Sequence, residues 1–318
     1  MEIIQKLPSA EEMKCEIALS ALAKKKKRAR DKEIADILHG IDDRLLLIIG
    51  PCSADDSKAA MEYAIRLSKI ARAVREHICI IMRVFTAKPR SASCGYLGLV
   101  HEPDGLLKAR RMHRDISEYT GLPTADELLY PSLLPYYEDL VSYFTIGARS
   151  AENQEHRLVA SGLALPVGLK NPTSGDMATL HNSVEAAKAP HDFIFDGQLV
   201  RTTGNPLAHR VLRGGGSPNY YAADLKLLGH MGYDDMVIDT NHDNSNKNFQ
   251  KQPEIAMDVL NNRHLIKGLM IESYLIEGAA KPGLQAFGQS ITDPCLGIDA
   301  TEKLIYEIAD CLSKFMAI

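Results

Sequence analysis

Residues 45–53 read LLLIIGPCS: five apolar side chains, a Gly-Pro break, then Cys52. A short unbroken apolar run bounded by turn residues is the pattern of a strand buried on both faces, as in parallel sheets. The pattern recurs at 78–84 (ICIIMRV), 122–128 (LPTADEL), 143–147 (YFTIG), 165–169 (LPVGL), 193–195 (FIF), 235–239 (DMVID) and 266–271 (IKGLMI). Most of these runs are separated by amphipathic stretches such as DSKAAMEYAIRLSKIARAVRE and SAENQEHRLVASGL. Eight strands alternating with helices predict an α/β fold, a (β/α)8 TIM barrel. The third and sixth runs fit least well. Residues 196–216 read as a β excursion after the sixth strand, because Thr203-Gly204-Asn205-Pro206 is a turn signal flanked by strand-forming residues. The competing fold, an open doubly wound sheet, needs a glycine-rich phosphate loop after the first strand; GPCSADD has a single glycine.

Residues 1–44 read as a charged helical extension to a barrel at 45–318. Ile34, Ile37 and Leu38 have helical spacing and Gly40 suits a helix end. The lysines at 24–27 could form a nucleic-acid patch, but acidic residues follow at once and a solvated helix face is the commoner meaning. The net charge of −4 likewise argues against nucleic-acid binding. The start, MEIIQKLPSAEEMK, has no apolar core of an export signal, and no apolar run approaches the roughly 20 residues of a membrane span. Cysteines at 15, 52, 79, 94, 295 and 311 form no CxxC pair, so a cytoplasmic, reducing setting is expected and a disulfide framework is not.

In barrel enzymes the chemistry lies beyond the C-terminal ends of the strands. Cys52 follows the first run, His242 the seventh, and Glu272 and Asp293 the eighth. A thiolate, an imidazole and two carboxylates can share one divalent cation if the strands converge. Each has a plainer meaning: Cys52 as a small core residue, His242 as a surface histidine, Asp293 before Pro294 as a turn initiator. Glu272 inside an apolar run is harder to explain away, because an unpaired buried carboxylate is costly. Cations also gather at the strand ends: Arg83, Lys88, Arg90, Arg149, Lys170, Arg210 and Arg213, with Ser91 beside Arg90 and Asp126 and Glu127 at the third strand. On a chain of negative net charge, such a ring implies one or two small substrates carrying several negative charges.

The order of these motifs is similar to that of type I 3-deoxy-D-arabino-heptulosonate 7-phosphate (DAHP) synthases. GPCS at 50–53, KPR at 88–90, GARS at 147–150, HRLVASGL at 156–163, KNPTSGD at 170–176, TTGNPLAH at 202–209, LRGG at 212–215, DTNH at 239–242, IES at 271–273 and SITDPCLG at 290–297 carry the likeness. It runs from about residue 35 to the C-terminus. The resemblance implies a cytoplasmic homodimer or homotetramer that joins phosphoenolpyruvate to erythrose 4-phosphate and releases phosphate, the first step of the shikimate pathway. It implies one divalent metal ion, Mn2+ first and Fe2+, Co2+ or Zn2+ as alternatives, on Cys52, His242, Glu272 and Asp293. Phosphoenolpyruvate would meet Arg83, Lys88, Arg149 with Ala148, Lys170 and Arg213, near Glu127; Arg90 and Ser91 would take the tetrose phosphate. Lys88 is a candidate proton donor or a fixed charge on the substrate carboxylate.

The chain departs from that pattern at Gly95-Tyr96-Leu97-Gly98, where relatives carry a lysine in place of Leu97. The loop at 99–106 is shortened, and Ala92-Ser93-Cys94 replaces a threonine- and glycine-rich run. One lost charge-assisted contact costs on the order of 1.5–3 kcal/mol. Two alternatives to DAHP synthesis follow: condensation of phosphoenolpyruvate with a different aldehyde in a specialised pathway, or a catalytically weak barrel that binds a metabolite for regulation.

Overall fold

The computed structural model describes residues 2–90 and 95–316, with side chains through Lys314. Eight of its strands run parallel and close on themselves. They are β1 (Leu45–Gly50), β2 (Ile78–Arg83), β3 (Thr124–Glu127), β4 (Tyr143–Ile146) and β5 (Val167–Lys170), then β8 (Ala208–Leu212), β9 (Met236–Asp239) and β10 (Ile266–Glu272). The intervening β6 (Asp192–Phe195) and β7 (Gln198–Arg201) pair only with each other, as an antiparallel hairpin outside the barrel.

The barrel is therefore as expected, with one correction. The run at 193–195 is an arm of the hairpin, and Ala208–Leu212 is the sixth barrel strand. The β excursion precedes that strand and does not follow it. Burial explains the difference: β6 alternates exposed and half-buried positions, whereas all five residues of β8 are buried. His209 and Arg210 disguise β8 in the sequence; their polar groups are paired inside the protein.

Helices α1 (Ala10–Glu16) and α2 (Ala21–Leu38) precede β1. Around the barrel lie α3 (Ser57–Ala73), α4 (Gly105–Thr120), α5 (Gln154–Ser161), α6 (Met177–Lys188), α7 (Ala222–His230), α8 (Gln252–Leu260) and α9 (Ile298–Met316). A 3-10 turn at Pro131–Tyr136 takes the place of a helix between β3 and β4. Local chemistry sets the ends: the Ser20 hydroxyl accepts from Ala23 N–H at the start of α2, Asp56 caps α3, and Gly121, with φ of 73°, ends α4.

Side-chain period sorts two cores. Leu45, Leu47 and Ile49 point outward to the helices. Leu46, Ile48, Cys79, Ile81, Ala125, Tyr143, Val211, Val237 and Met270 point inward and fill the barrel. Ile34, Ile37 and Leu38 of α2 join that inner cluster, so the extension closes the N-terminal mouth. Arg110 of α4, fully buried, donates to the carbonyls of Met13, Ile17 and Tyr136 and to Asp139, which ties the chain around α1 to the barrel wall. No helix of the described residues is long and apolar enough to cross a membrane.

His209 lies at the base of the barrel. Its Nε2 sits 2.6 Å from the Tyr143 hydroxyl and its Nδ1 2.9 Å from the Leu207 carbonyl. Burial drives the imidazole down to about 4. An unfolded histidine titrates near 6.5, so this group's stabilisation is complete above that pH and is lost as pH falls toward 4, a loss of about 3 kcal/mol. The stability difference between wild type and His209→Gln, from urea unfolding, should shrink by that amount between pH 7 and pH 4. A constant difference would contradict a buried neutral imidazole.

Candidate active site

The period that builds the inner core also aims the functional side chains. Two residues beyond Ile48 and Gly50 lies Cys52; Arg83 follows Cys79 and Ile81; Glu127 follows Ala125; Lys170 follows Gly168; Arg213 follows His209 and Val211; Asp239 follows Val237; Glu272 follows Gly268 and Met270. Apart from Cys52, which sits on the turn after Gly50 and packs with the outer cluster, each continues an inward row past the apolar layers. Arg210 and Asp126 have the opposite parity and face the helices. Arg210 pairs with Asp235 and lies over the Tyr233 ring at 3.8 Å. Both drop out of the group expected at the strand ends.

Gly50 and Glu272 are register partners across β1 and β10, which brings the turn carrying Cys52 beside Glu272. The segment after β10 folds back, and the Leu296 N–H bonds to the Glu272 carbonyl, so Asp293 arrives at the same place. Donor atoms of Cys52, Glu272 and Asp293 lie within 4.8 Å of one another. His242 is outside that group: it takes a left-handed backbone (φ 53°) and places Nδ1 3.0 Å from Asp239 Oδ2.

Electrostatics bind these groups together. Arg83 and Glu272 form an ion pair at 2.9 Å with both side chains 1% exposed. Burial pushes the Glu272 carboxyl up, but Arg83, His242 and Lys88 outweigh it and bring it down to about 2. The Asn241 amide donates to the other Glu272 oxygen at 2.6 Å. Lys88 Nζ donates to the Cys52 carbonyl at 2.6 Å and lies 3.2 Å from its sulfur. Burial, then Glu272, raises the Cys52 thiol to about 11. Lys170 pairs with Asp239 at 2.6 Å and Arg213 with Asp243 at 2.9 Å. Burial raises the Glu127 carboxyl against the pull of Lys88 and Lys170.

The donor set suits a divalent cation. A sulfur and two carboxylates crowd one spot, where a cation would offset the burial and the carboxylate charge that raise the thiol. The Asp239 carboxylate on His242 Nδ1 is the outer partner that metal-binding imidazoles commonly have, leaving Nε2 as the donor. Beside this set, Arg83 Nε and Nη1 are buried without a protein partner, ready for an anion.

The periphery is looser. Arg149 is exposed at a turn with Ala148 half-buried beside it. Arg90 is exposed and its Nε donates to the Tyr96 carbonyl. Ser91 lies outside the described residues. Leu97, 43% exposed, accepts the Lys88 N–H through its carbonyl. Several supporting residues had no role assigned from the sequence: Asn171, read only as a strand-end residue beside Lys170, which accepts from Arg213 N–H; Asn241 on Glu272; and Gln252, whose amide bridges the Glu272 N–H and C=O. Asn171 and Asn241 sat in quoted motifs, whereas Gln252 on α8 had no signal.

The sequence match is decisive for lineage. Residues 17–305 match the model of the DAHP synthetase I family. The chain belongs to that family. A relative named phospho-2-dehydro-3-deoxyheptonate aldolase from Haemophilus influenzae is 38% identical, over 98% of this chain and 90% of the relative. A Tyr-sensitive enzyme of the same name from Escherichia coli is 39% identical, over 96% and 92%. The structure of phospho-2-dehydro-3-deoxyheptonate aldolase from Francisella tularensis superimposes with a TM-score of 0.92 at 33% identity, covering 98% of both chains. Within the DAHP synthetase I frame, the donor set and cations stand at the ends of the barrel strands.

Gly147, just past β4, is a direct constraint on this site. A methyl group there would overlap Glu127 Oε1. Gly147→Ala should therefore push the Glu127 carboxylate aside, at a cost of about 1 kcal/mol in urea unfolding, the low end of overpacking because the tip of a flexible side chain can move. Adding Glu127→Ala should recover part of that loss, a non-additive pair. Strictly additive effects would show that Glu127 does not lean on Gly147.

Proposed function

We propose that this chain is a metal-dependent DAHP synthase, joining phosphoenolpyruvate, erythrose 4-phosphate and water into DAHP and phosphate. The observation that carries the reading is the Cys52, Glu272 and Asp293 donor set beside Lys88 and the unpartnered edge of Arg83, in a member of this family. A divalent cation, Mn2+ before Fe2+, Co2+ or Zn2+, would be held by these three residues and His242, and would polarise the aldehyde oxygen of the tetrose.

The remaining roles belong to the protein's own groups. Arg83, Lys88, Lys170, Arg213 and Arg149, with Ala148 at the turn, bind phosphoenolpyruvate. Arg83 is preset by Glu272, Lys170 by Asp239 and Arg213 by Asp243. Arg90, which is exposed, binds the tetrose phosphate together with Ser91. The two substrates repel each other, so holding both anions together supplies much of the rate. The new bond joins C3 of phosphoenolpyruvate to the aldehyde carbon. Water adds at C2, and the C2–O bond to phosphate breaks. Lys88 is assigned proton delivery to the new hydroxyl; Glu127, between Lys88 and Lys170 in its electrostatics, steadies both cations.

Residues 45–318 are taken as the catalytic barrel and 1–44 as its extension, supported by the seat of α2 in the barrel mouth. A cytoplasmic homodimer or homotetramer is proposed as well. The described cysteines are all free, and Ile194 and Leu199 stand 76% and 78% exposed on the β6–β7 hairpin. A second reading rests on Leu97: a chain without the lysine usual at that position would accept an aldehyde other than erythrose 4-phosphate.

Phosphate release should require phosphoenolpyruvate and erythrose 4-phosphate, cease after chelation and return with Mn2+. Cys52→Ala should abolish it and retain the circular dichroism of the wild type. Full turnover by chelated enzyme would defeat the proposal. Release with another aldose only would select the second reading.

A further inference from the structure

Asp126 was expected at the mouth of the site, yet it faces the helix layer, 3% exposed. Its carboxylate has four donors. Oδ1 accepts from the Thr86 N–H at 3.0 Å and from the Glu127 N–H at 2.8 Å. Oδ2 accepts from the Thr86 hydroxyl at 2.7 Å and faces His113 Nε2 at 3.1 Å. His113 projects from α4, is fully buried, and has its Nδ1 3.0 Å from the Thr124 hydroxyl. An ionised carboxylate only accepts, so Nε2 must carry a proton.

The placement matters because of where the β2–β3 ladder stops. Its last backbone bond runs from Val84 N–H to the Ala125 carbonyl. In a parallel ladder the next donor is Thr86 N–H, and its regular acceptor would be the carbonyl of Glu127. That carbonyl is taken by Leu129 N–H as the chain turns away. Asp126 supplies the missing acceptor, and so extends the pairing by one step past the strand ends. Thr86 is two residues before Lys88, and Glu127 follows Asp126 directly. One side chain thus fixes the exits of both strands that present a substrate-facing charge. For stability alone, two apolar side chains between β3 and α4 would serve as well, since a buried polar pair is expensive to desolvate.

We infer that Asp126, held by His113, is a positioning residue that sets the spacing of Lys88 and Glu127 and thereby the affinity for phosphoenolpyruvate. This rests on the proposed reaction for its substrate and adds two residues outside the pocket that control it. An amide at 126 keeps an oxygen for the two backbone N–H groups, so the decisive change is removal of the acceptor, as in Asp126→Ala. The strand exits would then part, and a displacement on the scale of 1 Å in a substrate-holding group can cost on the order of a hundredfold.

The test is to measure KM for phosphoenolpyruvate, kcat and, by calorimetry, the phosphoenolpyruvate Kd for Mn2+-loaded wild type, Asp126→Ala, Thr86→Val, His113→Leu and His113→Gln. Asp126→Ala should raise KM and Kd at least about tenfold. His113→Leu should move them in the same direction, and His113→Gln, which restores an amide donor, should recover much of the loss. If Asp126→Ala does not fold, Thr86→Val, which removes only the hydroxyl bond, should still raise both constants. Variants with wild-type KM and Kd, and kcat reduced only in proportion to their folded fraction, would mean a purely structural pair and overturn the inference. Wild type that binds phosphoenolpyruvate but makes no DAHP would sink the proposed reaction, and Kd would still decide the clamp. Wild type that does neither would remove both.

Discussion

The Arg83–Glu272 ion pair organises the open end of the barrel. Both side chains are almost wholly buried, and neither could remain charged there alone. Removing either would leave its buried partner without its nearest counter-charge. The pair also divides the labour at the site. Glu272 lies beside Cys52 and Asp293, while Nε and Nη1 of Arg83 have no protein partner and are proposed to meet the anionic substrate. The positions for a cation and for an anionic substrate are therefore set by one contact.

Around this pair the barrel supplies rows and the strand ends supply chemistry. Leu46 and Ile48 pack the interior, and β1 then ends at Gly50 in the turn that carries Cys52. Met270 precedes Glu272, and Val237 precedes Asp239 in the same way. Carboxylates then preset the cations: Asp239 holds Lys170 and Asp243 holds Arg213. Such preset groups lose little freedom when an anion arrives, which is how a scaffold of marginal stability can hold two repelling substrates.

Most of this was legible in the chain, because buried parallel strands leave unbroken apolar runs and inward rows have a period of two. LLLIIG, ICIIMR and IKGLMIE announce themselves. AHRVL does not: its histidine and arginine read as loop or site residues until Tyr143 and Asp235 are seen to satisfy them. FIF looked like the better strand but belongs to a solvent-facing hairpin. At the site, parity would have excluded Arg210 and Asp126 had the register of their strands been known. His242, expected among the donors, lies outside their cluster and is engaged by Asp239, a partner visible only in three dimensions. Long-range pairing of this kind leaves no mark on spacing.

The central claim is that four residues distant in sequence surround one cation next to a phosphoenolpyruvate pocket. Anomalous diffraction from crystals soaked in Mn2+ and phosphoenolpyruvate tests it most directly. The account predicts one strong manganese peak per chain, within bonding reach of Cys52 Sγ, His242 Nε2 and the carboxylates of Glu272 and Asp293, with phosphoenolpyruvate density against Arg83. A manganese peak elsewhere, or none at those four side chains in crystals that bind phosphoenolpyruvate, would contradict it.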